Sequence, residues 1–469
     1  MKIIKGLCEF EGVERIHLMG IGGAGMSALA KLLSDMGFKV DGCDCVRGDV
    51  LVKLEKLDII CELGHEAGHI EKFLPQLLIY SSAVDPNNEE LVAARAKGIR
   101  TIGRGLALSR LFNAGYGIGV AGTHGKTTTS SMIGLILEHG GFSPTLVIGA
   151  EVCNMNLGAR LGKGDLFVAE IDESDGSFEF FQPALTTVTN VDWDHVNYFH
   201  THDDVIAAFT RFARARKPKT PLVICAEDDG SRSLIEKLSP DPCLVTCGWG
   251  RSFDWGAFDV NHKAGGGVLF SVARGKETLG RLELAVSGDH NIMNALVACA
   301  SCSLLGVPFE CMADALGCFQ GAKRRLEKLG EKKKGNGSID VVDDYGHHPT
   351  EISASLVAMR EIYPSRRLVV VFQPHRYTRT RVFYRQIASA LKGGDVVFLL
   401  PVYSAGEPSE DITSVDISDI MNLDGHETVL CNDQDDALFK LDSILRPGDV
   451  LLTLGAGSIS KLGEAYLQR

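Results

Sequence analysis

Gly122-Thr123-His124-Gly125-Lys126-Thr127-Thr128 follows the apolar run Gly117–Ala121 and opens a helical pattern that continues to His139. A strand, a glycine loop and a helix in that order are what a phosphate loop needs. Glycines let backbone N–H groups turn towards phosphate oxygens, and the helix N-terminus adds partial positive charge. Lys126 can reach β- and γ-phosphates, and Thr127 can ligate Mg²⁺. One spacing departs from the common pattern: Val120 stands where a glycine is usual, with Gly119 and Gly122 nearest.

Two acidic clusters follow the loop, each after an apolar run. The first is Ala169-Glu170-Ile171-Asp172-Glu173-Ser174-Asp175 and the second is Asn190-Val191-Asp192-Trp193-Asp194-His195. Either alone reads as a solvated loop. Behind a phosphate loop they point to Mg²⁺, which prefers oxygen ligands and keeps several waters.

Upstream, Gly20-Ile21-Gly22-Gly23-Ala24-Gly25 fits GxGxxG between a strand and a helix, and Asp44 ends the next strand. This is the dinucleotide fingerprint, and alone it suggests an NAD-binding dehydrogenase. Its physics requires only a diphosphate-binding turn, which a UDP-sugar also satisfies.

Around these motifs the chain reads as three α/β segments. Strands are expected at Arg15–Met19, Lys39–Cys43, Asp58–Cys61 and Leu77–Ser81, then at Leu166–Ile171, Leu185–Val191 and Leu222–Cys225. A third set lies at Ile339–Val342, Leu368–Phe372, Val396–Leu400 and Val450–Leu454. Alternation with helices predicts mostly parallel sheets. Leu244–Val286 reads as an antiparallel stretch, and the charged run Glu331–Ser338 as a surface loop. Cys299 and Cys302, in an alanine-rich helix without a second CxxC, read as buried small apolar residues. Cys43 and Cys45 also read as structural.

The 469 residues carry a net charge of −12. That excludes a general nucleic-acid binder, which needs a basic footprint. No apolar run reaches the length of about 18 residues for a membrane span. Glu9, Glu11, Glu14 and Arg15 interrupt any signal-peptide core. A cytoplasmic protein with reduced cysteines is expected.

The ordered set of motifs resembles the Mur ligases of peptidoglycan synthesis over nearly the whole chain. His17–Ser27, Ser81-Ser82-Ala83, Gly122–Thr129, Glu170–Phe178, Asp194-His195, Gly288–Asn291 with Asn294, and Gly321–Arg325 carry the resemblance. Asp343–Ile352, Phe372–Thr380, Tyr403–Glu407 and Gly455–Ser458 complete it. The nearest branch joins L-alanine to UDP-N-acetylmuramate.

The resemblance implies a Rossmann-like UDP-sugar domain over 1–108. It also implies a central P-loop ATPase domain over 109–322, with a mostly parallel sheet plus a smaller antiparallel one, and a Rossmann-like amino-acid domain over 323–469. It implies ATP and two Mg²⁺ ions, with UDP-N-acetylmuramate and L-alanine as substrates and an acyl phosphate between them. Lys126, Glu170 and His195 match catalytic positions, and Thr127, Glu170 and His195 match metal ligands. Gly122, Thr123, His124, Gly125, Lys126, Thr127, Thr128, Asn291 and Asn294 match the ATP site. Gly20, Gly22, Gly23, Gly25, Asp44, Ser81 and Ser82 match the UDP-sugar site. Tyr345, His347, Arg376 and Arg379 match the amino-acid site, where arginine grips a carboxylate with paired donors.

Asn197, Leu326 and Cys43 depart from the family pattern. Gly321–Arg325 is the expected hinge, with Lys323–Arg325 facing substrate phosphate. The competing readings are a murein tripeptide ligase, an NAD dehydrogenase and a non-catalytic nucleotide sensor. The double glycine Gly22-Gly23 and the run His375-Arg376-Tyr377 speak against the first. The phosphate loop speaks against the second, and intact Lys126 and metal-ligand positions against the third. Acceptors differing by a methyl are separated by only about 1–3 kcal/mol, so glycine and L-serine stay open beside L-alanine.

Overall fold

Four of the five residues of Arg15–Met19 are buried, as expected of a central parallel strand flanked by helices on both faces. The computed structural model describes residues 7–149, 158–174 and 176–469. Asp175, from the first acidic cluster, lies outside the described residues. Arg15–Met19 pairs in parallel with Lys39–Asp44 on one side and Leu77–Tyr80 on the other. Ile60–Leu63 and Arg100–Gly103 complete a five-stranded parallel sheet. The chain reverses its winding direction beside Arg15–Met19, which opens a crevice at the strand ends. The Gly20 turn and Ser81 both follow strands at that crevice.

The helix Arg104–Asn113 runs across the expected boundary at 108. Leu108, Leu111 and Phe112 are buried in a core that also holds Leu29, Ile79, Phe167 and Phe181. The first and second sheets therefore share apolar packing.

Among the described residues the second sheet has ten strands. Tyr116–Ala121 lies inside it between Leu185–Val188 and Leu166–Glu170, parallel to both. Of the stretch Leu244–Val286 expected to be antiparallel, Trp255–His262, Val268–Arg274 and Glu277–Leu284 are so paired, whereas Leu244–Trp249 is parallel to both its neighbours. The antiparallel strands continue the parallel sheet through Leu244–Trp249. The helix Asp289–Ser303 packs on this sheet with Cys299 and Cys302 fully buried, in keeping with their apolar reading.

The third sheet has six strands, with Val450–Leu454 inserted between Gly337–Asp344 and Leu368–Phe372. Its loops after Asp344, Phe372 and Leu454 open on one edge. The surface loop expected over Glu331–Ser338 is instead part of a hairpin. Glu327–Lys334 pairs antiparallel with Gly337–Asp344. Lysines on an edge strand deter further pairing, so the charge that suggested a loop is compatible with a strand. The described residues contain no helix long and apolar enough to cross a membrane.

Candidate active site

Glycine is required at two points of the phosphate loop. Gly122 has φ 138°, and a Cβ there would lie 1.9 Å from Thr189 Oγ1. Gly125 has φ 78°, and a Cβ there would lie 2.5 Å from Asn294 Oδ1. The loop is held by the end of the neighbouring strand. Asn190 Oδ1 accepts from His124 N at 2.9 Å, and Asn190 Nδ2 donates to His124 O at 2.8 Å.

Lys126 opens the helix Lys126–His139 and turns its ammonium back over the loop. It donates to Gly122 O at 2.5 Å and to Glu173 Oε2 at 2.8 Å. Burial alone would lower its pKa, but Glu173, Asp172 and Glu170 outweigh that and raise it. Lys126 is therefore charged throughout the working pH range.

The acidic groups form two sets. Thr127 Oγ1 donates to Glu170 Oε2 at 3.0 Å, and Gly149 N donates to the same oxygen at 2.8 Å. Asp172, Glu173 and His195 bring their ligand atoms within 4.8 Å of one another. His195 Nε2 lies 3.4 Å from Glu173 Oε1, a buried oxygen with no hydrogen bond. An orphaned carboxylate oxygen beside a second carboxylate, that of Asp172, suits Mg²⁺. His195 thus groups with Asp172 and Glu173, while Glu170 groups with Thr127. Asp172 and Glu173 were legible only as members of the first acidic cluster.

His124 stands between two carboxylates, Asp192 at 3.4 Å and Glu351 at 3.3 Å. Burial would depress its pKa, but Glu351 and Asp192 carry it up to about 10. Glu351 comes from the third sheet's unit and closes the capping box of the helix Pro349–Ile362. No motif in the sequence pairs it with His124.

A pocket of about 270 Å³ lies next to the loop. Asn291 and Asn294 line it together with His290, Arg325 and Leu326. Asn291 donates to Ser287 O at 2.7 Å, and Asn294 accepts from Thr129 Oγ1 at 3.2 Å. Both asparagines also do structural work, which leaves part of each amide's bonding capacity for a base edge.

A larger cleft of about 660 Å³ joins all three units. Gly23, Gly25 and Ser81 line it from the first, Lys126, Thr127, Glu170 and His195 from the second, and Tyr345, His347, Arg376 and Arg379 from the third. Gly20, Gly22 and Asp44 shape the turn rather than the wall. Gly20 N donates to Cys43 O at 2.8 Å, and Gly22 N donates to Asp44 Oδ2 at 2.9 Å. Ser82 is exposed next to Ser81. Arg104, absent from the sequence-based set, lies against Gly25, where a Cβ would meet its Nη1 at 2.7 Å.

Arg376 has φ 69° at the start of the helix Tyr377–Leu391 and hydrogen-bonds Glu407 at 3.3 Å. Arg379 is buried and binds Asp194 of the second unit with two nitrogens, at 2.8 and 3.2 Å. Burial and the Arg379 guanidinium push His347 down to about 3, so its ring is neutral. Arg324 and Arg325 flank the Tyr345 ring, each 5.1 Å from its centroid. Lys323, Arg324 and Arg325 all line the cleft. Of the departing positions, Asn197 is exposed, and Leu326 donates its N–H to Asp344 Oδ2 at 2.8 Å.

Three family matches tile the chain: "Mur ligase family, catalytic domain" over residues 15–116, "Mur ligase middle domain" over 120–302, and "Mur ligase, glutamate ligase domain" over 324–457. The chain belongs to the Mur ligase family. Within it, the chain is 39% identical to a UDP-N-acetylmuramate–L-alanine ligase of Desulforapulum autotrophicum, over 97% of this chain and 98% of that one. It is 40% identical to the ligase of the same name from Methylococcus capsulatus, over 97% and 96%. The crystal structure of UDP-N-acetylmuramate-alanine ligase from Thermotoga maritima superimposes with a TM-score of 0.81 at 28% identity, covering 97% of this chain and 98% of that chain. The phosphate loop Gly122–Thr128 falls within the middle-domain match over residues 120–302.

Proposed function

We propose that this Mur ligase joins L-alanine to the carboxylate of UDP-N-acetylmuramate at the expense of ATP, in the cytoplasm, as a step in peptidoglycan precursor synthesis. The single observation that carries the reading is the cleft where the phosphate loop, the Gly20 turn and the Arg376 loop converge. The proposal divides the work among units 1–108, 109–322 and 323–469. The full-length relatives named for this reaction support the choice of substrates.

The Gly20–Gly25 turn, with Asp44, Ser81 and Ser82, takes the UDP diphosphate. The loop Gly122–Thr128 takes the ATP phosphates, with Asn291 and Asn294 at the adenine. The muramate carboxylate oxygen attacks the γ-phosphorus, ADP leaves, and an acyl phosphate forms. The amine of L-alanine then attacks the carbonyl carbon, and phosphate departs with the former carboxylate oxygen. Two anions must meet in the first step, and the permanent charge of Lys126 opposes their repulsion. Thr127 and Glu170 would hold one Mg²⁺, and His195 with Asp172 and Glu173 a second. Bound Mg²⁺ neutralises phosphate charge and polarises the γ-phosphoryl group. Arg376, on the cleft wall, grips the L-alanine carboxylate beside Tyr345 and His347. Arg379, tied to Asp194, positions that loop against the middle unit. Enclosing the acyl phosphate between three units keeps water from hydrolysing it.

The test is phosphate release from ATP with Mg²⁺, UDP-N-acetylmuramate and one of L-alanine, glycine, L-serine or the murein tripeptide. Release that needs both UDP-sugar and L-alanine, and is lost in Lys126→Ala, supports the assignment. Release with the tripeptide alone contradicts it.

A further inference from the structure

The first unit buries a polar cluster that the proposed reaction does not use. His17 lies on the strand Arg15–Met19, Cys43 on Lys39–Asp44, His69 on the helix Gly68–Phe73 and Glu90 on the helix Glu89–Ala96. His17, Cys43 and Glu90 are wholly buried, and His69 is 6% exposed. Burying such groups costs free energy unless they are paired or bind a metal.

The geometry is that of a ligand set. The four candidate ligand atoms lie within 4.8 Å of one another. Glu90 Oε1 is 2.7 Å from His17 Nε2 and 3.3 Å from His69 Nδ1, and Glu90 Oε2 is 3.1 Å from Cys43 Sγ. Tetrahedral zinc, with bonds of about 2.0–2.3 Å, places its ligand atoms about 3.3–3.8 Å apart. Small side-chain shifts bridge that difference.

Two further observations point the same way. His17 Nε2 is buried and makes no hydrogen bond, although Glu90 Oε1 is close. His17 Nδ1 meets Asp41 Oδ1 at 2.5 Å. A carboxylate on the far nitrogen of an imidazole is the usual support of a metal-bound histidine, because it fixes the tautomer and aims the other nitrogen at the ion.

We propose that His17 Nε2, Cys43 Sγ, His69 Nδ1 and Glu90 bind one Zn²⁺ ion in a closed, structural site. Two imidazoles, a thiolate and a carboxylate suit zinc and not Mg²⁺. On binding, the Cys43 thiol releases its proton to solvent, and the thiolate and Glu90 balance the ion's charge. The ion ties two strands and two helices together directly behind the Gly20 turn. The Cys43 carbonyl accepts from Gly20 N at 2.8 Å and Ile21 N at 3.0 Å. Zinc binding stands independently of the ligase reading.

The experiment titrates Co²⁺ into the full chain, stripped of metal under reducing conditions. Of the four His/Cys/Asp/Glu groups among the described residues, only this one contains a cysteine. A thiolate-to-cobalt charge-transfer band that is lost in Cys43→Ser therefore reports on this site. The expected result is a band that saturates at one equivalent, is displaced by one equivalent of Zn²⁺ and is absent in Cys43→Ser. Asp41→Asn leaves all four ligands in place and is expected to weaken cobalt binding about 10–100-fold. A folded wild-type chain without the band, or a band unchanged in Cys43→Ser, would overturn the proposal. Should Cys43→Ser not fold, the wild-type chain decides: the thiolate-to-cobalt band appears and saturates at one equivalent if the site exists, and is missing if the cluster is only hydrogen-bonded.

Discussion

Arg379 of the third unit clasps Asp194 of the second through two hydrogen bonds, Nε to Oδ1 at 2.8 Å and Nη2 to Oδ2 at 3.2 Å. Both side chains are about 95% buried. Asp194 sits beside His195, so the pair connects the proposed metal site to the proposed amino-acid site. Removing one partner of a buried pair leaves an uncompensated charge and costs about 3–5 kcal/mol. Asp194→Ala and Arg379→Ala should each lose about that much in denaturant unfolding of the unit interface. The double variant should lose less than their sum.

The same pair sets an acid limit. Burial would raise the Asp194 pKa, but Arg379, His195 and His347 hold it well below the ordinary value of 3.8. A depressed carboxylate contributes stability that is present above its unfolded pKa and lost as pH falls through the folded one. The interface should therefore hold at about pH 4 and loosen only in stronger acid. In Asp194→Asn this part of the acid dependence should disappear from a Tm–pH profile.

His124 has the opposite sign. Its pKa is raised to about 10 by Glu351 and Asp192. Its pairing contributes fully below the unfolded histidine value of about 6.5 and is lost as pH rises through about 10. Ring-nitrogen NMR at pH 8 should find His124 protonated and His347, depressed to about 3, neutral. A neutral His124 at pH 8 would contradict the pairing.

Gly122→Ala should abolish ATP binding and leave UDP-sugar binding intact. The new Cβ would collide with Thr189 Oγ1 at 1.9 Å, and φ 138° disfavours any side chain. The Gly20 turn belongs to a different sheet. Calorimetric titration with each nucleotide separates the two effects.

Gly321 has φ 89° and Arg324 φ 60° at the junction of the second and third units. If this segment is the hinge, structures with and without ATP and UDP-sugar should differ by a rotation about it. Gly321→Ala should lower kcat by straining the turn. Identical unit orientations in the two structures would contradict the hinge.

Much of this was legible because the motifs are local. Leu368–Phe372 is an unbroken apolar run, Arg15–Met19 is a short strand with Ile16, Leu18 and Met19 apolar, and Gly122–Thr128 declares its turn through glycine and its charge through Lys126. Contacts between units were not legible. Nothing in the spacing of His124 and Glu351, or of Asp194 and Arg379, reveals that folding makes them neighbours. The Lys332–Lys334 edge strand was read as a loop because charge alternation at a sheet edge resembles a solvated surface. Cys43 read as an inert thiol because His17, His69 and Glu90 reach it only through the parallel sheet and its helices.

The most direct measurement of the central claim follows one oxygen atom. UDP-N-acetylmuramate labelled with ¹⁸O in its carboxylate is incubated with the enzyme, ATP, Mg²⁺ and L-alanine, and the released phosphate is analysed by mass. Ligation through an acyl phosphate predicts one ¹⁸O in each phosphate formed, together with an equal amount of UDP-N-acetylmuramoyl-L-alanine. Unlabelled phosphate, or phosphate without the amide product, would contradict the account.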